Sequence, residues 1–403
     1  MSNLKHMFLD YNPISISSKY INWFFSGSAG TVIKKPTPEN INSYQLLIFS
    51  MNGVLRNNDK AIPLAVETFN KLKNEMNKKI CIITNECRYS PKRIKKELRS
   101  LGFNIDNDID VITASSLTLI ALTNILKWRH VSNSSGIQEE TESYSSKYIS
   151  RKRYRKIVNS SLQTQKQTQT IVSSTKFGII SDPELFSYLK NSITKKYHNV
   201  LFYHIKVNHP IPKDLDYVVI GTLSKNNQEE NKEEKQEEKH NINSELENAF
   251  QWFKSNPKVS IILANSNIQP DHREINYLEP INLLKEIEKY GKNKDKDFEL
   301  PIDQIAVGKP YCSEFIDKFI ERYNLTDSKD KLIDSENSPK SPKLKVLMVG
   351  DDYNSDIKFA ENINCDKCLV LTGNTRLEDL NNNNNIDTSS INYIIPDVSY
   401  LAL

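Results

Sequence analysis

Residues 44–55 read YQLLIFSMNGVL, and this stretch decides the fold. Its apolar run ends in Asn52-Gly53, which predicts a buried strand that meets a turn. Apolar side chains at helical spacing follow between Pro63 and Lys79, and the second apolar run KICIITN comes after them. Strand, helix and strand in this order predict a right-handed crossover within a parallel sheet.

The same alternation continues along the chain. Helices are predicted over 91–101 and at LTLIALTNILKW, with the short strand IDVITASS between them. A second α/β unit begins at KFGIIS, and the strands KVLMVGDD and CLVLTG then resume the first sheet. The predicted fold class is therefore α/β, with a Rossmann-like parallel-sheet core and an inserted α/β cap domain.

Polar, low-complexity segments interrupt these units. They contain too few apolar residues to offset the entropy of ordering the chain, so we expect them to be disordered. The predicted domains are an N-terminal extension at 1–43, a first core segment at 44–128, a disordered insertion at 129–174, the cap at 175–299 with a charged insertion at 226–243, and a second core segment at 300–403 with a polar insertion at 326–343.

Composition argues against several classes of partner. The chain has 54 basic and 50 acidic residues, so no global field attracts nucleic acid or anionic lipid. The basic cluster RKRYRK at 151–156 fits nucleic acid or a nuclear address, although a solvated insertion explains it more simply.

No apolar run is long enough to span a bilayer, and an odd count of five cysteines favours a reducing compartment. We expect a cytoplasmic protein.

Four short segments each place polar residues where a predicted strand ends or a helix begins. They are IFSMNGVL with Ser50 and Asn52, IITNECRYSP with Thr84 and Asn85, VGKPYCSEF with Lys309, and VLMVGDDYNSDI with Asp351 and Asp356. Taken singly, three of them have a structural explanation: helix capping for the second and fourth, with Asp352 or Ser355 equally suited, and an ordinary turn for the third.

In this order, with an α/β insertion between the second and third, the segments resemble the haloacid dehalogenase superfamily. The resemblance is to its cap-bearing p-nitrophenylphosphatase and phosphoglycolate phosphatase group, and it runs from about Tyr44 to the C-terminus outside the insertions. It implies that Thr84 and Asn85 bind phosphate and that Lys309 neutralises the phosphoryl charge. It also implies that Asp351 and Asp356 hold Mg²⁺, a cation that prefers oxygen ligands.

The first segment departs from the family, which has Asp-x-Asp-Gly there. The family's first aspartate attacks phosphorus and ligates magnesium, and the second acts as acid and base; this chain has Ser50 and Asn52. A serine hydroxyl needs a neighbouring base, which asparagine cannot be. We therefore expect these two degenerate catalytic positions to impair catalysis, and Mg²⁺ binding to be weak or lost.

The cap also departs from the family. The chain has residues 264–268 as Ala-Asn-Ser-Asn-Ile where the group usually has Ala-Thr-Asn-Pro-Asp, and Pro280-Ile281-Asn282-Leu283 where it has Pro-Gly-x-Gly. One site carboxylate and two permissive glycines are thus missing, with Ser266 and Ile268 at altered positions. Several departures together are harder to compensate than one.

The sequence thus favours a catalytically impaired phosphatase-like protein that keeps a phosphate-binding crevice. Its expected ligand is a phosphorylated small molecule or a protein partner, with a homodimer through the cap also allowed and neither nucleic acid nor membrane expected. The alternative is an active magnesium-dependent phosphatase of the p-nitrophenyl phosphate or phosphoglycolate type, with another nucleophile.

A separate signal is Cys365-x-x-Cys368, which has the spacing of half a metal or redox site. No second pair with this spacing occurs in the chain. Since the segment leads into a predicted strand, Cys368 is expected to be a small buried apolar residue.

The insertions generate a first testable prediction. Limited proteolysis should cut first within 129–174 and 226–243, because these segments offer little to bury. Mass spectrometry of the earliest fragments would locate the cuts, and protection of both segments would contradict the prediction.

Overall fold

The computed structural model describes residues 33–106, 109–135, 174–204, 212–224, 242–265, 277–301, 303–313, 315–316, 319–320, 344–382 and 386–402. Several predicted features therefore lie outside the described residues. They are residues 1–32 of the N-terminal extension, the basic cluster at 151–156, nearly all of the charged insertion, the polar insertion at 326–343, and both Ser266 and Ile268.

Fifteen strands occur among the described residues. In chain order they are β1 Leu46–Phe49, β2 Arg56–Asn57, β3 Lys60–Ala61, β4 Lys79–Thr84, β5 Asp110–Thr113, β6 Thr175–Ile180, β7 Val200–His204, β8 Tyr217–Ile220, β9 Leu223–Ser224, β10 Ser260–Leu263, β11 Tyr277–Leu278, β12 Gln304–Ala306, β13 Val346–Gly350, β14 Asp366–Val370 and β15 Tyr393–Ile395.

Helices alternate with these strands, as expected for an α/β fold. The α-helices among the described residues are α1 Pro38–Asn42, α2 Ala65–Asn74, α3 Pro91–Ser100, α4 Ala114–Ser135, α5 Pro183–Thr194, α6 Ile242–Ser255, α7 Pro280–Lys294, α8 Lys358–Asn362 and α9 Leu377–Asn382. A single π-helical turn, Tyr353–Ile357, precedes α8, and a short 3-10 helix, Val398–Leu401, follows β15.

The chain divides into two compact units. The first unit comprises Met1–Ile80, Ser100–Asp106 and Leu344–Leu403. Its strands follow the order β15-β14-β13-β1, and each pairs with its neighbour in parallel. Every residue of β1 and β13 is buried, which is typical of a parallel sheet covered on both faces.

Aromatic contacts consolidate the first unit. Phe69 of α2 packs against Phe49 of β1, with ring centroids 5.9 Å apart, and meets Phe103 edge to face at 5.4 Å. The last residues of the predicted N-terminal extension pack here as well. Lys34 forms an antiparallel β-bridge with Ile394 of β15, and Ile41 of α1 is buried. These contacts bury large apolar surfaces, which is the main stabilising term in folding.

The second unit comprises Cys81–Arg99 and Asn107–Lys343. Most of β4 belongs to it, and β4 pairs in parallel with β5, so that Thr84 lies opposite Thr113 at the end of both strands. The unit also contains a five-stranded sheet with the order β12-β10-β8-β6-β7, in which all neighbours are parallel.

Helices α6 and α7 cover this five-stranded sheet. The buried apolar cluster between the sheet and these helices includes Trp252 and Phe253 of α6 and Ile287 of α7. Helix α7 begins at Pro280, whose fixed φ suits the first helical turn. The chain therefore starts a helix where the family has its Pro-Gly-x-Gly turn.

The predicted fold class is confirmed: the structure is α/β with parallel sheets. The second α/β unit predicted to begin at KFGIIS does form: β6 lies there, and helices alternate with strands after it. The boundaries predicted between core and cap stay predictions. Among the residues that the structure describes, no helix combines the length and the apolar character needed to cross a membrane.

The boundary predicted between the first core segment and the insertion at 129–174 lies too early in the chain. Helix α4 continues past Arg129 to Ser135. The reason is tertiary, since the Arg129 guanidinium forms an ion pair with Asp216 at 2.8 Å and lies over the Tyr217 ring. At the other end, Thr175 is buried in β6. Residues 136–173 lie outside the described residues.

Packing beneath α6 gives a prediction for the second unit. A Cβ added at Gly178 of β6 would overlap the Trp252 ring and touch Leu215. Gly178→Ala should therefore lower the free energy of unfolding by about 1–3 kcal/mol. Denaturant unfolding would measure it, with the exposed Ser187→Ala of α5 as a control that should change stability by less than about 0.5 kcal/mol. Equal effects of the two changes would contradict this packing argument.

Candidate functional site

The predicted site residues fall into two groups, one in each compact unit. The first group, named here the acidic half-site, consists of Ser50, Asn52, Asp351 and Asp356. Phe49 lies opposite Val349 in the parallel pair β1 and β13, and the Ser50 N–H donates to the Val349 carbonyl at 2.8 Å. Parallel pairing thus brings the ends of the first and fourth motifs together.

Hydrogen bonds from the backbone hold both aspartates of the acidic half-site. Asp356 Oδ2 accepts from the N–H groups of Asp351, at 2.9 Å, and Asp352, at 3.2 Å. Asp351 Oδ2 accepts from the Asn374 N–H at 2.7 Å. Both carboxylates are buried, so these bonds stabilise the loop conformation as well as the charges.

Two glycines make room for Asp351. Gly53 has a φ of +82°, a conformation that side chains with a Cβ rarely adopt. A Cβ at either Gly53 or Gly373 would overlap the Asp351 carboxylate. Close backbone approach around this carboxylate therefore explains the glycine of the first motif.

Helix capping at the fourth motif is done by Asp352. Its Oδ1 accepts from the N–H groups of Asn354 and Ser355 at 2.8 and 3.2 Å. Burial raises the pKa of Asp352, and the nearby Asp356 adds to this shift. The capping alternative is correct for Asp352, whereas Asp351 and Asp356 have other contacts.

A buried arginine next to Asn52 was missed in the sequence. Arg56 Nε–H donates to Asn52 Oδ1 at 3.2 Å, and Arg56 is almost completely buried. The only signal was a charged residue directly after the apolar pair Val54-Leu55. Asn52 thus presents its side-chain oxygen to a cation, which is an acceptor role and not that of a proton donor.

The acidic half-site presents two buried carboxylates, Asp351 and Asp356, and the neutral Ser50 hydroxyl as candidate magnesium ligands. Position 50 offers a neutral hydroxyl, and Asp351 and Asp356 each already accept backbone hydrogen bonds. Across the described residues, no group of three or more His, Cys, Asp or Glu side chains is arranged to hold a metal. Mg²⁺ sites in proteins usually depend on one or two carboxylates with ligand phosphates and waters.

The second group, named here the phosphate half-site, consists of Thr84, Asn85 and Lys309. The Lys309 N–H donates to Asn85 Oδ1 at 2.7 Å, and Asn85 Nδ2 donates back to the Lys309 carbonyl at 3.1 Å. Lys309 is only 2% exposed, and its Nζ donates to the Ile83 carbonyl at 3.0 Å. The structure thus joins the second and third motifs, which are far apart in sequence.

Thr84 and Asn85 do not cap the helix that follows them. Thr84 Oγ1 accepts from the Glu86 N–H at 3.1 Å, and the Asn85 amide binds Lys309. The first turn of α3 is capped by Ser90, whose Oγ accepts from the Arg93 N–H at 3.4 Å. The interpretation of Thr84 and Asn85 as caps of this helix is therefore wrong, because Ser90, which is nearer to the helix, caps it.

The third motif is more than an ordinary turn. Gly308 has a φ of +91°, and a Cβ there would lie 2.7 Å from Asn85 Oδ1. Glycine at this position therefore allows the loop to approach Asn85 closely. The pairing of Lys309 with Asn85 depends on that approach.

A charged cluster beside the phosphate half-site also escaped the sequence analysis. Glu86 and Arg88 form a bidentate ion pair, with N–O distances of 3.0 and 2.8 Å. Burial, and secondarily Glu86, raises the pKa of Glu279 to about 7. Sequence patterns could not have revealed this group, because its members meet only in the folded chain.

Of the cysteine pair, Cys365 directly precedes β14 and Cys368 lies within it. Cys368 is buried in β14, as expected, and burial raises the pKa of the Cys365 thiol to about 12. Both thiols are free of disulfide bonds. The burial of Cys368 supports its interpretation as a small apolar residue.

Two family models match the chain. A haloacid dehalogenase-like hydrolase family matches residues 47–147, and a HAD-hydrolase-like family matches residues 307–401. The first segment contains Ser50 and Thr84, and the second contains Lys309, Asp351 and Asp356. No curated protein matches the sequence at a significant level.

Solved structures share the fold at low sequence identity. A 4-nitrophenylphosphatase from Thermotoga maritima is 18% identical with a TM-score of 0.50, covering 90% of this chain and 97% of its own. A possible sugar phosphatase of the same superfamily from Cytophaga hutchinsonii is 16% identical with a TM-score of 0.55, covering 91% and 99%. A hypothetical protein from Pyrococcus horikoshii is 17% identical with a TM-score of 0.50, covering 88% and 97%.

The fold and the motif-bearing segments define a phosphatase-like α/β protein. Residues 47–147 and 307–401 thus match haloacid dehalogenase-like family models, which confirms the resemblance to that superfamily for these segments, and the solved structures share the fold of the chain.

The link between the second and third motifs can be tested by removing its amide. Asn85→Ala leaves the Lys309 N–H and carbonyl without these partners, so it should lower the free energy of unfolding by about 2–3 kcal/mol. Denaturant unfolding would measure the loss. The matched control is Asn191→Ala at an exposed position of α5, which should change stability by less than about 0.5 kcal/mol. A stability loss at residue 85 no larger than the control's would contradict the structural role given to this amide.

Proposed function

We propose that this protein is a catalytically impaired member of the superfamily that uses its crevice to bind a phosphorylated ligand. The observation that carries the proposal is the pair of neutral side chains, Ser50 and Asn52, at the positions of the family's two catalytic carboxylates. The phosphate half-site, in contrast, keeps each residue that the family pattern calls for. Binding can therefore outlast catalysis.

The first argument concerns the nucleophile. A carboxylate is already anionic at neutral pH, whereas a serine hydroxyl must lose a proton to a neighbouring base before it attacks phosphorus. The amide of Asn52 is not basic, and its oxygen accepts the hydrogen bond from Arg56. Asn52 therefore does not supply the activation that a serine nucleophile needs.

The second argument concerns the intermediate. Attack by an aspartate gives an acyl phosphate, which hydrolyses readily. Attack by Ser50 would give a phosphate ester, whose hydrolysis is far slower without a catalyst. A single phosphoryl transfer to Ser50 would therefore stall, since Asn52 cannot activate the water for release.

Charge supports retention of ligand binding. The proposed phosphate contacts are Thr84, Asn85 and Lys309 of the phosphate half-site, where Lys309 supplies positive charge. In the acidic half-site, Ser50 and Asn52 stand where the family has two carboxylates, which removes two negative charges that would repel an anion. Weak or lost Mg²⁺ binding is included in the same proposal, since position 50 no longer offers an anionic ligand.

The proposed ligand is a phosphorylated small molecule or a phosphorylated group on a protein partner, in the cytoplasm. A homodimer through the cap is compatible with this function. The second candidate is an active magnesium-dependent phosphatase, which the intact Lys309, Asp351 and Asp356 favour. The two candidates differ in whether the unmodified protein hydrolyses a phosphorylated substrate.

A phosphatase assay and a restoration experiment separate them. The unmodified protein should hydrolyse p-nitrophenyl phosphate with magnesium at a negligible rate, since loss of a nucleophile commonly costs about a million-fold. The double change Ser50→Asp with Asn52→Asp should raise the rate well above background, because it restores both the nucleophile and the acid-base group. Either single change should do little, since the two groups act together.

The matched control is Ser50→Asn with Asn52→Asp, which restores one carboxylate without a nucleophile. Its rate should stay at background. Robust magnesium-dependent turnover by the unmodified chain, abolished by Lys309→Ala, would overturn the proposal in favour of an active enzyme. Failure of the correctly folded double variant to gain activity would show that the site differs from the family's beyond residues 50 and 52.

A further inference from the structure

The loop after β4 holds an arginine between two aromatic rings. The Arg88 guanidinium lies 4.0 Å from the ring centroid of Tyr277 in β11 and 4.8 Å from the ring centroid of Tyr89. The side chain of Arg88 is only 20% exposed, so both contacts are largely shielded from water, where cation–π contacts are stronger. Arg88, these two rings and the carboxylate partner Glu86 are named here the arginine clamp.

Hydrogen bonds join the arginine clamp to the phosphate half-site. Arg88 Nε–H and Nη2–H donate to the two oxygens of the Glu86 carboxylate at 3.0 and 2.8 Å, and the Arg88 N–H donates to the same carboxylate at 2.9 Å. The Glu86 N–H in turn donates to Thr84 Oγ1 at 3.1 Å. Three donors of Arg88 therefore hold Glu86, and Glu86 orients the hydroxyl group of Thr84, whose own proton can donate to a phosphate oxygen.

Neighbouring residues fix the same loop to other parts of the second unit. Cys87 Sγ lies 2.9 Å from Thr222 Oγ1, directly before β9. The Arg93 guanidinium of α3 forms an ion pair with Glu184 of α5. Strand β9 pairs antiparallel with β11, so the loop contacts the residue before one strand of this pair while the arginine clamp contacts the other.

The geometry of the arginine clamp requires an arginine and not merely a positive charge. A guanidinium group is planar, presents a fork of N–H donors that matches a carboxylate, and stacks on aromatic faces. A lysine ammonium group carries the same charge, but it matches neither the two oxygens of Glu86 nor the face of the Tyr277 ring in this way. Arg88→Lys therefore separates the position of the group from its charge.

We propose that Arg88 is a positioning residue for the phosphate half-site, and that phosphate affinity at Thr84 depends on the packing of β11 against the loop after β4. The inference rests on the proposed function and adds to it a residue that acts on the same site through Glu86. The net charge of the site plays no part in this effect.

The affinity follows from order that exists before the ligand binds. When the arginine clamp is closed, Glu86 and the Thr84 hydroxyl group are held in one orientation, so that binding does not have to order them. When the Tyr277 ring is displaced, Arg88 loses one of its two aromatic faces and the loop gains other conformations. By linkage, bound phosphate stabilises the closed clamp by the same factor by which the closed clamp strengthens phosphate binding.

Calorimetric titration of the full-length protein with inorganic phosphate, at one fixed pH, measures the contribution of Arg88. Arg88→Lys should weaken phosphate binding about tenfold although the net charge is unchanged, because the bidentate bond to Glu86 is lost. Arg99→Lys, at an exposed position of α3, is the matched control and should stay within about twofold of the unmodified protein.

Changes at Tyr277 test the dependence on β11. Tyr277→Leu removes the ring and should weaken phosphate binding about threefold to fivefold, whereas Tyr277→Phe keeps the aromatic face and should retain the affinity within about twofold. In the double variant Arg88→Lys with Tyr277→Leu, the two losses of binding free energy should not add, because both changes open the same clamp. Full additivity would overturn the dependence of the half-site on β11.

Hydrogen exchange in the unmodified protein distinguishes positioning from a purely structural role. The Arg88 Nε–H resonance, assigned by through-bond correlation in ¹⁵N NMR, reports the hydrogen bond to Glu86. Saturating phosphate should slow the exchange of this proton with solvent about fivefold, since the ligand and the closed clamp stabilise each other. Exchange that bound phosphate leaves unchanged would overturn the coupling.

The outcomes separate this inference from the proposed function. Absence of phosphate binding by the unmodified protein would overturn the proposed function and the role of Arg88 with it. Equal phosphate affinity of the unmodified protein and of correctly folded Arg88→Lys and Tyr277→Leu would overturn the positioning role alone. If Arg88→Lys does not fold, Tyr277→Leu and Tyr277→Phe measure the same dependence, and the exchange measurement compares free and bound protein without any variant.

Discussion

Parallel strand pairing is the constraint on which the rest of this structure depends. Because both strands of a parallel pair end at the same edge, residues far apart in sequence are delivered side by side. In the first unit this pairing brings the residue after β1, Ser50, next to the end of β13 and Asp351. In the second unit it sets Thr84 opposite Thr113, and the Asn85 amide then draws in Lys309.

Much of this arrangement could be predicted from sequence because it rests on local patterns. Apolar runs that end in polar residues marked β1, β4 and β13, and the segment order located Lys309. The rest depends on tertiary neighbours: α4 extends past Arg129 because of Asp216, and the loop serine at residue 90 took the capping role assigned to Thr84. The pKa shift of Glu279 likewise requires burial and partners that no sequence window contains.

The retained aspartates show why intact motif residues are weak evidence for activity. Asp356 accepts two backbone N–H groups, and Asp351 accepts the Asn374 N–H, so both stabilise the loops around the sheet edge whether or not a metal binds. Removing either would leave buried donors without these acceptors, at a cost of about 1–3 kcal/mol each. The presence of Asp351 and Asp356 is therefore explained by the fold as well as by catalysis.

Charge offers a further distinction between binding and catalysis. A family member that hydrolyses phosphate needs carboxylates as nucleophile, acid-base group and metal ligands, and it needs the metal to offset their repulsion of the substrate. In this chain two of these positions carry the neutral Ser50 and Asn52, so the acidic half-site has less negative charge for a metal to offset. Under the proposed function, the same two substitutions that remove turnover also lower the repulsion of an anion.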